Sequence, residues 1–321
     1  MIKLKLFSYL YKQVKVNPAP KSRFLKLYRE LCHYLYRLVR KFDDPIIRIE
    51  VGDKHLYMST SHNLPQIQAH NPYYDTALPR ICRFVKEKQG DLTLIDVGAN
   101  IGDTVSLITD QVTGKFLCIE PDKKYFQLLL MNTESIQDVV TENLLLSEDE
   151  ESSNITLVEV RGTAYVSEGG NGNANTDLNI TTIDKLVEKH QNFSKTNIIK
   201  IDTDGYDYKV IRGAKKLISE SKPVVFFELS PYHLTSVGEE PTSIFDYFFN
   251  MGYSRVMLYD CLGYPLAILE TNKVETLSQI LYYASIKKHF YYDALLFHDS
   301  CQKEFQEFYE EEKNVFTKVK W

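Results

Sequence analysis

The stretch LIDVGANIGDT at residues 94–104 decides the fold, because it has the pattern of a buried strand that runs into a glycine turn and then a helix. Residues 92–97 are apolar and rich in branched side chains, as expected of a parallel strand covered on both faces. Asp96 ends the strand, Gly98 permits a sharp turn, and Gly102 permits the next helix to approach the sheet closely. The first N–H groups of that helix then face the crevice, which indicates a nucleotide-type site.

A second apolar strand is predicted at residues 115–120, and it ends in Glu120. This acid follows the glycine loop by about twenty residues, where a carboxylate accepts hydrogen bonds from ribose hydroxyls in nucleotide-binding folds. We therefore expect Glu120 to bind a ribose. The alternative is an ordinary strand, turn and helix whose glycines serve packing alone; the correctly spaced acid favours the site.

The loop between these two strands does not have the dinucleotide pattern. Gly98 and Gly102 are four residues apart, and Asn100 stands where the G-x-G-x-x-G motif would bring its middle glycine to a pyrophosphate. With Asp96 at its mouth, the loop suits a ligand that carries an ammonium or a cation. S-adenosylmethionine carries both an ammonium and a sulfonium, so the sequence favours this methyl donor over NAD.

A third predicted strand at residues 197–203 carries the first candidate for catalysis, Asp202. Asp204 follows, and the two carboxylates share one side if the chain stays extended. Ligands bind at this carboxyl edge of a parallel sheet. A carboxylate there would align an acceptor hydroxyl and take its proton. The alternative is that Asp202 caps the next helix or orients Lys200.

The strand predicted at residues 224–229 carries Glu228 near its end, and His233 follows. Because a buried strand seldom holds an acid without a partner, Glu228 is expected to orient His233 or to bind a substrate hydroxyl. A neutral imidazole is a natural base near pH 7. The alternative is that His233 has a structural or merely exposed position.

The segments IDVGANIGDT (95–104), CIEPD (118–122) and IIKIDTDGYDYKVIRGA (198–214) together resemble the FkbM-type methyltransferase family. Members are S-adenosylmethionine-dependent enzymes that O-methylate sugars and other secondary metabolites. With weaker similarities the resemblance covers residues 63–297, although Asp204-Gly205 stands where many members have a glutamate-glycine pair. It implies a Rossmann-like α/β fold: a seven-stranded sheet, its last strand antiparallel, with helices on both faces.

The motifs and the resemblance together give the candidate site. The cofactor residues are predicted to be Asp96, Gly98, Ala99, Asn100, Gly102, Glu120 and Ser147, the last because a strand at 143–146 would end beside the adenine. The catalytic candidates are Asp202, Asp204, Glu228 and His233. The substrate candidates are Tyr74, Asn171 in a glycine and asparagine loop, and Lys200.

Asp202, Asp204 and Glu228 are three oxygen ligands that would suit Mg²⁺. A sugar acceptor lacks the acidic diol that makes a metal most useful, so we expect no metal.

Four regions are predicted along the chain: a basic amphipathic helical extension (1–45), a hairpin and helix covering the site (46–90), the methyltransferase domain (91–300) and a charged C-terminal helix (301–321). Residues 1–42 carry eleven Lys and Arg against one acid, whereas the whole chain has a net charge of −5. Between residues 24 and 38, apolar side chains recur on one side of a helix. That side would meet an anionic membrane surface or pack on the domain or a partner subunit.

At 321 residues and 44% hydrophobic composition, the chain can form one large α/β domain with additions. Five scattered cysteines and early lysines that interrupt any signal peptide favour a cytoplasmic protein. If the basic helix meets an anionic membrane, the protein is peripheral on the inner face of that membrane. We expect the acceptor to be a sugar or glycan, with a lipid-linked glycan as one form of it, and we expect no nucleic acid as a partner; the oligomeric state is left open. The alternatives are a catalytically silent binding protein tethered to membrane or partner, and an NAD-dependent oxidoreductase.

Overall fold

The computed structural model describes residues 2–18, 21–42, 44–51, 54–150, 155–160, 163–168, 178–287 and 290–317. The chain begins with a helical and hairpin extension. Its elements, in order, are α1 (Ile2–Tyr11), a π-helical turn (Lys12–Val16), α2 (Arg23–Phe42), β1 (Ile46–Val51), β2 (Lys54–Ser59), α3 (Leu64–His70) and α4 (Ala77–Gln89). β1 and β2 pair antiparallel, which confirms the predicted hairpin.

The remainder of the chain alternates strands and helices. Its first half comprises β3 (Thr93–Val97), α5 (Asp103–Thr109), β4 (Lys115–Ile119), α6 (Lys123–Thr133), β5 (Val139–Glu142), β6 (Leu145–Leu146), β7 (Ile155–Val160), β8 (Thr163–Glu168), β9 (Ile180–Thr181) and α7 (Ile183–Lys189). Its second half comprises β10 (Ile198–Ile201), α8 (Asp207–Arg212), α9 (Lys215–Ser221), β11 (Val224–Leu229), α10 (Pro231–Ser236), α11 (Ser243–Asn250), β12 (Arg255–Asp260), β13 (Pro265–Glu270), α12 (Val274–Ile286), β14 (Tyr292–Leu296) and α13 (Gln302–Phe316).

Eight of the described strands form the central sheet, in the order β13-β12-β14-β11-β10-β3-β4-β5. The neighbours from β11 to β5 are parallel, and β14 lies antiparallel between β11 and β12. The predicted α/β fold with an antiparallel last strand is therefore confirmed. The eighth strand, β13, extends the sheet beyond the predicted seven by pairing antiparallel with β12.

The strand predicted at residues 143–146 lies earlier in the chain than expected. Residues 139–142 form this strand, β5, whereas residues 145–146 pair with β9 in a separate two-stranded sheet. Asn143 lies between the two, and its side-chain amide donates to the carbonyls of Glu120 at 2.8 Å and Pro121 at 3.1 Å. The most apolar segment, residues 144–146, therefore lies beyond the central sheet and partly forms β6, and the prediction mistook it for the sheet strand.

Helices cover both faces of the sheet, as predicted. All five residues of β3 are buried, and its apolar side chains are divided between two apolar clusters, one on each face of the sheet. Ile95 packs in the cluster that includes Leu186 of α7, whereas Leu94 packs in the cluster that includes Phe84 of α4 and Phe308 of α13. The C-terminal helix, predicted from its charges, thus also contributes to the core.

The N-terminal extension is fastened to the loop that follows β3. Ile101 of that loop shares one apolar cluster with Tyr11, Tyr36 and residues of the hairpin. Asn132 of α6 accepts the Tyr57 N–H at 2.7 Å and donates to the carbonyls of Tyr57 at 2.9 Å and Ile101 at 2.8 Å. One amide side chain therefore joins β2 directly to the predicted cofactor loop.

The predicted amphipathic helix is present as α2, but its apolar row does not pack on the domain. Cys32 and Tyr36 form the buried side of α2, whereas Phe24, Leu27 and Leu31 are exposed. Three surfaces were considered for the row: a membrane, the catalytic domain and a partner subunit. Among the residues that the structure describes, packing on the catalytic domain is wrong. None of the described helices is both long enough and apolar enough to cross a bilayer.

Candidate active site

Gly98 lies where the chain leaving β3 contacts the end of β10. Its φ is +76°, and a Cβ at this position would be 1.9 Å from the Asp202 carbonyl oxygen. The N–H groups of Gly98 and Ala99 both donate to the Ile119 carbonyl at 3.0 Å. Glycine is therefore required here by a backbone contact with the end of β10 as well as by the turn.

Gly102 serves a different contact from the one predicted. With a φ of +81°, it would place a Cβ 2.9 Å from Leu129 Cδ1 and 3.2 Å from Thr133 Cγ2, both on α6. The close approach is therefore between the loop and α6, and not between α5 and the sheet. The prediction that glycine is needed for packing holds, but the partner element was wrong.

Glu120 occupies the predicted ribose position at the end of β4. One carboxylate oxygen accepts the Asn100 N–H and the other accepts the Asp122 N–H, each at 2.9 Å. Burial raises the pKa of Glu120 to about 8, although both N–H groups favour the charged form. Each oxygen keeps a further lone pair for a ligand hydroxyl.

A cavity of about 370 Å³ opens at the carboxyl ends of these strands, a size typical of small-molecule sites. One wall is apolar and consists of Val97, Ile119, Leu144, Leu145 and Leu146. The adjoining wall carries Gly98, Asn100 and Glu120. The apolar wall suits an adenine ring, and Glu120 beside it suits a ribose.

The extension supplies a roof to the cavity, which we define as His62, Asn63, Leu64 and Ile67. His62 Nδ1 accepts the Leu64 N–H at 3.3 Å, and burial lowers the pKa of His62 to about 4. The imidazole in the roof is therefore neutral at physiological pH. The prediction that the hairpin region covers the site agrees with this position, but it had not singled out His62.

The predicted cofactor residues divide into two groups. Gly98, Asn100 and Glu120 line the cavity, whereas Asp96, Ala99, Gly102 and Ser147 are buried behind its wall. The Ser147 N–H donates to the Thr181 carbonyl at 2.9 Å. The leucines that precede Ser147, residues 144–146, face the cavity in its place.

Lys200 connects buried Asp96 to the cavity. Its ammonium lies 3.1 Å from Asp96 Oδ1 and 3.5 Å from Asp202 Oδ2, and it donates to the Gly98 carbonyl at 3.0 Å. Although burial alone would lower the pKa of Lys200, these carboxylates hold it above its ordinary value. One ammonium thus links the glycine loop with the ends of β3 and β10. Lys200 can contact a substrate only through the part of its side chain that these partners leave uncovered.

A smaller recess of about 70 Å³ extends the cavity on the side away from Glu120. Its acid residues, together with Asp204 of the main cavity, are named here the acidic wall: Asp75, Asp202, Asp204, Glu228 and Asp293. Glu228 and Asp293 are directly opposite each other on β11 and β14. Burial, reinforced by the charges of Asp202 and Asp204, raises the pKa of Glu228 well above its ordinary value.

His233 stands at the edge of the acidic wall with two carboxylates beside it. His233 Nδ1 lies 3.4 Å from both Asp204 Oδ1 and Glu228 Oε1. Within the described part of the chain, these three residues place one ligand atom each within 4.8 Å of one another, close enough for a divalent cation. Asp202 lies outside this group, so the set differs from the one derived from the sequence.

The turn between β10 and α8 is organised by an acid that the motif analysis passed over. Buried Asp207 accepts the N–H groups of Thr203 at 3.1 Å and Gly205 at 3.0 Å. The alternative in which Asp202 caps this helix is therefore wrong, whereas its ion pair with Lys200 is present. Asp202 remains about half exposed and faces the cavity.

Tyr74 lines both the cavity and the recess, next to Asp75. The preceding residue, Tyr73, packs its ring 5.1 Å from Tyr264, and its carbonyl occupies the space beside Gly263. This contact with the β12–β13 hairpin holds the turn that presents Tyr74 and Asp75. The third substrate candidate, Asn171, lies outside the described residues.

A mostly parallel sheet with a glycine turn, a ribose-position acid and a cavity at its carboxyl edge defines a nucleotide-type site of the S-adenosylmethionine-dependent methyltransferase class. Residues 96–255 match the family model of the Methyltransferase FkbM domain. The chain belongs to the FkbM methyltransferase family, and its cofactor is S-adenosylmethionine. No curated protein matches the sequence significantly.

Solved methyltransferase structures are similar over most of this chain. Methyltransferase FkbM from Methylobacillus flagellatus is 14% identical, with 78% of this chain and 52% of that chain covered and a TM-score of 0.34. M. jannaschii TYW2 in complex with AdoMet is 10% identical, with 80% and 88% covered and a TM-score of 0.39. The chain spans about half the length of the Methylobacillus protein.

The residues present fit this cofactor. The apolar wall can take the adenine, Glu120 the ribose diol, and the carboxylates of Asp103 and Asp202 the positive charges of the methionine part. Asp103, which had not been singled out in the sequence, lines the cavity at the start of α5, and burial raises its pKa to about 6. The carboxylates of the site therefore lie where the cofactor would carry its positive charges.

We expect S-adenosylhomocysteine binding at pH 7 to release protons, because most Glu120 side chains are protonated below a pKa of about 8 and ribose hydroxyls favour the carboxylate. Affinity should rise about tenfold between pH 7 and pH 8.5. Calorimetry in two buffers of different ionisation enthalpy measures the release. Glu120→Gln keeps the shape but cannot ionise, so equal proton release in both proteins would contradict the assignment.

Proposed function

We propose that this methyltransferase transfers the methyl group to a hydroxyl oxygen of a sugar, in the biosynthesis of a cell-surface glycan or a related secondary metabolite. The observation that carries the proposal is His233, whose imidazole faces the cavity with carboxylates of Asp204 and Glu228 at its Nδ1. Oxygen methylation needs a base for the hydroxyl proton, and this arrangement supplies one.

The roles of the residues follow from their positions. His233 Nε2 is the ring nitrogen left for the acceptor hydroxyl, since Nδ1 faces the two carboxylates. Asp204 then stabilises the imidazolium that forms when the proton is taken. When bound, S-adenosylmethionine supplies an electrophilic methyl group on its sulfonium. Asp202, beside Lys200, is left to accept a hydrogen bond from the acceptor and hold it in line.

The charge of the acidic wall narrows the acceptor. Its five carboxyl groups share the cavity and the recess with Lys200, which is the one lysine or arginine among the described residues that line them. A phosphate placed in the recess would find one ammonium among carboxyl groups. Those that are ionised repel it, and those that burial keeps protonated, as the raised pKa values of Asp75, Glu228 and Asp293 favour, offer it no counter-charge. The sugar ring that is methylated should therefore be neutral or carry an amino group, and any phosphate of a lipid or nucleotide carrier should lie outside the recess.

Incubation with methyl-labelled S-adenosylmethionine tests this proposal. Neutral, amino-bearing and phosphorylated sugars are offered singly, and the methylated atom of the product is located by NMR. We expect an O-methyl ether on a neutral or amino sugar and little transfer to rings phosphorylated next to the acceptor hydroxyl. Methylation of nitrogen or carbon would contradict the proposal.

The binding-protein alternative predicts a different combination of results. Such a protein would bind S-adenosylhomocysteine but would not transfer the methyl group to any of the sugars offered. Absence of S-adenosylhomocysteine binding to the folded protein would instead contradict the cofactor assignment. Calorimetric titration with Glu120→Ala as the comparison separates the two cases, because that variant loses the carboxylate but keeps the rest of the cavity.

A further inference from the structure

The proposed function leaves the outer surface of the N-terminal extension unexplained. Phe24, Leu27 and Leu31 are 78%, 71% and 55% exposed, and all three lie on one side of α2. Leu35 and Leu38 continue the same row and are also exposed. A soluble domain rarely exposes a continuous apolar row of this length without a partner for it.

The neighbouring helix enlarges this surface. The hydroxyls of Tyr9 on α1 and Tyr28 on α2 are hydrogen-bonded at 2.5 Å, so the two helices lie side by side. Leu6 and Tyr9 are exposed on α1. We name these residues together the outer face: Leu6, Tyr9, Phe24, Leu27, Leu31, Leu35 and Leu38.

Charge identifies the partner that suits the outer face. Arg23, Lys26 and Arg37 are exposed along one flank of the apolar row. Residues 1–42 contain one acid, Glu30, and eleven lysines and arginines, whereas the rest of the chain is acidic. An anionic surface would therefore attract the extension and repel the body of the protein, which fixes the orientation.

Two occupants compete on physical grounds. A second copy of the chain would bring two cationic flanks together around the apolar row, with Glu30 as the one acid of the segment to offset them. A lipid surface would take the apolar row at the acyl boundary and the cations among anionic headgroups. We propose that the outer face docks the protein on an anionic lipid bilayer.

Residues on the buried side of α1 and α2 contact the segment that forms the roof of the cavity. Tyr11 Oη donates to the His62 carbonyl at 2.5 Å, and Tyr36 Oη donates to the Thr60 carbonyl at 2.7 Å. His62 belongs to the roof. Docking through the outer face would therefore bring the roof and the cavity close to molecules held at the membrane. The docking proposal itself stands apart from the identity of the acceptor.

Co-sedimentation of the full chain with vesicles tests the proposal. The vesicles are phosphatidylcholine alone or phosphatidylcholine mixed with phosphatidylglycerol. We expect binding to the mixed vesicles, weaker binding as salt is raised, and little binding to phosphatidylcholine alone. Reversing the flank charges with Arg23→Glu, Lys26→Glu and Arg37→Glu should weaken binding by at least about a hundredfold, since each lost cation costs about fivefold.

Apolar variants separate the outer face from general stickiness. Phe24→Ser, Leu27→Ser and Leu31→Ser together should abolish vesicle binding while S-adenosylhomocysteine still binds, which shows that the protein is folded. The matched control replaces Leu266, Tyr282 and Ile286 by serine; these side chains are comparably exposed but lie on β13 and α12. The proposal is overturned if the wild type does not bind anionic vesicles, or if the two serine variants bind them equally. It is also overturned if sedimentation shows a dimer that the outer-face serine substitutions dissociate.

Discussion

Lys200→Met is expected to lower the free energy of unfolding by about 3–5 kcal/mol, the cost of removing one partner from a buried ion pair. The Lys200 side chain is 7% exposed, and the Asp96 side chain, whose carboxylate lies 3.1 Å from the ammonium, is fully buried. Methionine fills similar volume but leaves that carboxylate without its counter-charge. Urea unfolding of wild type and variant at pH 7 measures the difference.

Two comparisons isolate the charge effect. Lys216→Met removes a surface ion pair with Glu188 and should cost less than about 1 kcal/mol. The double variant Lys200→Met with Asp96→Asn should recover much of the loss, since it leaves no buried charge. The deficit of Lys200→Met should also shrink as pH falls, because protonation of Asp96 removes the unpaired charge. A deficit that is the same at every pH and in the double variant would contradict this account.

His233→Gln is expected to lower kcat by about 10²–10⁴-fold, the range contributed by a positioned general base. Glutamine preserves hydrogen bonding but cannot take the acceptor proton, so the affinity for S-adenosylhomocysteine should change little. Initial rates at saturating acceptor measure kcat, and calorimetry of the same variant measures its affinity for S-adenosylhomocysteine.

The matched control is His190→Gln, because His190 also contacts a carboxylate, Glu142, at 2.6 Å but lies outside the cavity. It should retain near-normal kcat. Asp202→Asn tests the candidate that the sequence favoured, and a larger loss there than in His233→Gln would make Asp202 the base. Because Asp204, Glu228 and His233 could hold a cation, the assays are repeated with EDTA. Activity that disappears with EDTA and returns with Mg²⁺ would contradict direct proton transfer to His233.

The glycine loop and the acid that follows it were predictable because they obey local rules. Gly98 and Glu120 have their backbone conformation and strand-end position set by a few neighbouring residues, and the cavity indeed forms beside them. The strand at residues 139–142 was predicted too late, at residues 143–146, because the prediction relied on how apolar a segment is. The sequence pattern does not show that the Asn143 side chain binds the carbonyls of Glu120 and Pro121 at the point where the chain leaves the central sheet.

The opposite side of the cavity depends on contacts between distant segments. Asp75 and Asp293 are separated by most of the chain, and only the pairing of β14 with β11 and the position of the Tyr73 turn bring them to one recess. His62 reaches the cavity because the extension folds over the cofactor loop. Such positions have no local sequence pattern that predicts them. Two signals were nevertheless present: Asp75 directly follows the substrate candidate Tyr74, and Asp293 is an acid within an otherwise apolar strand.

Asn132 gives the molecule a cooperative unit that crosses the boundary between extension and catalytic domain. Its single amide holds both the β2 backbone and the carbonyl of Ile101, so neither segment can open without leaving buried polar groups unsatisfied. We therefore expect fluctuations of the hairpin and of the cofactor loop to be concerted. A ligand that orders the loop will also lower the conformational entropy of the extension, and the extension will share in the binding energy of the cofactor.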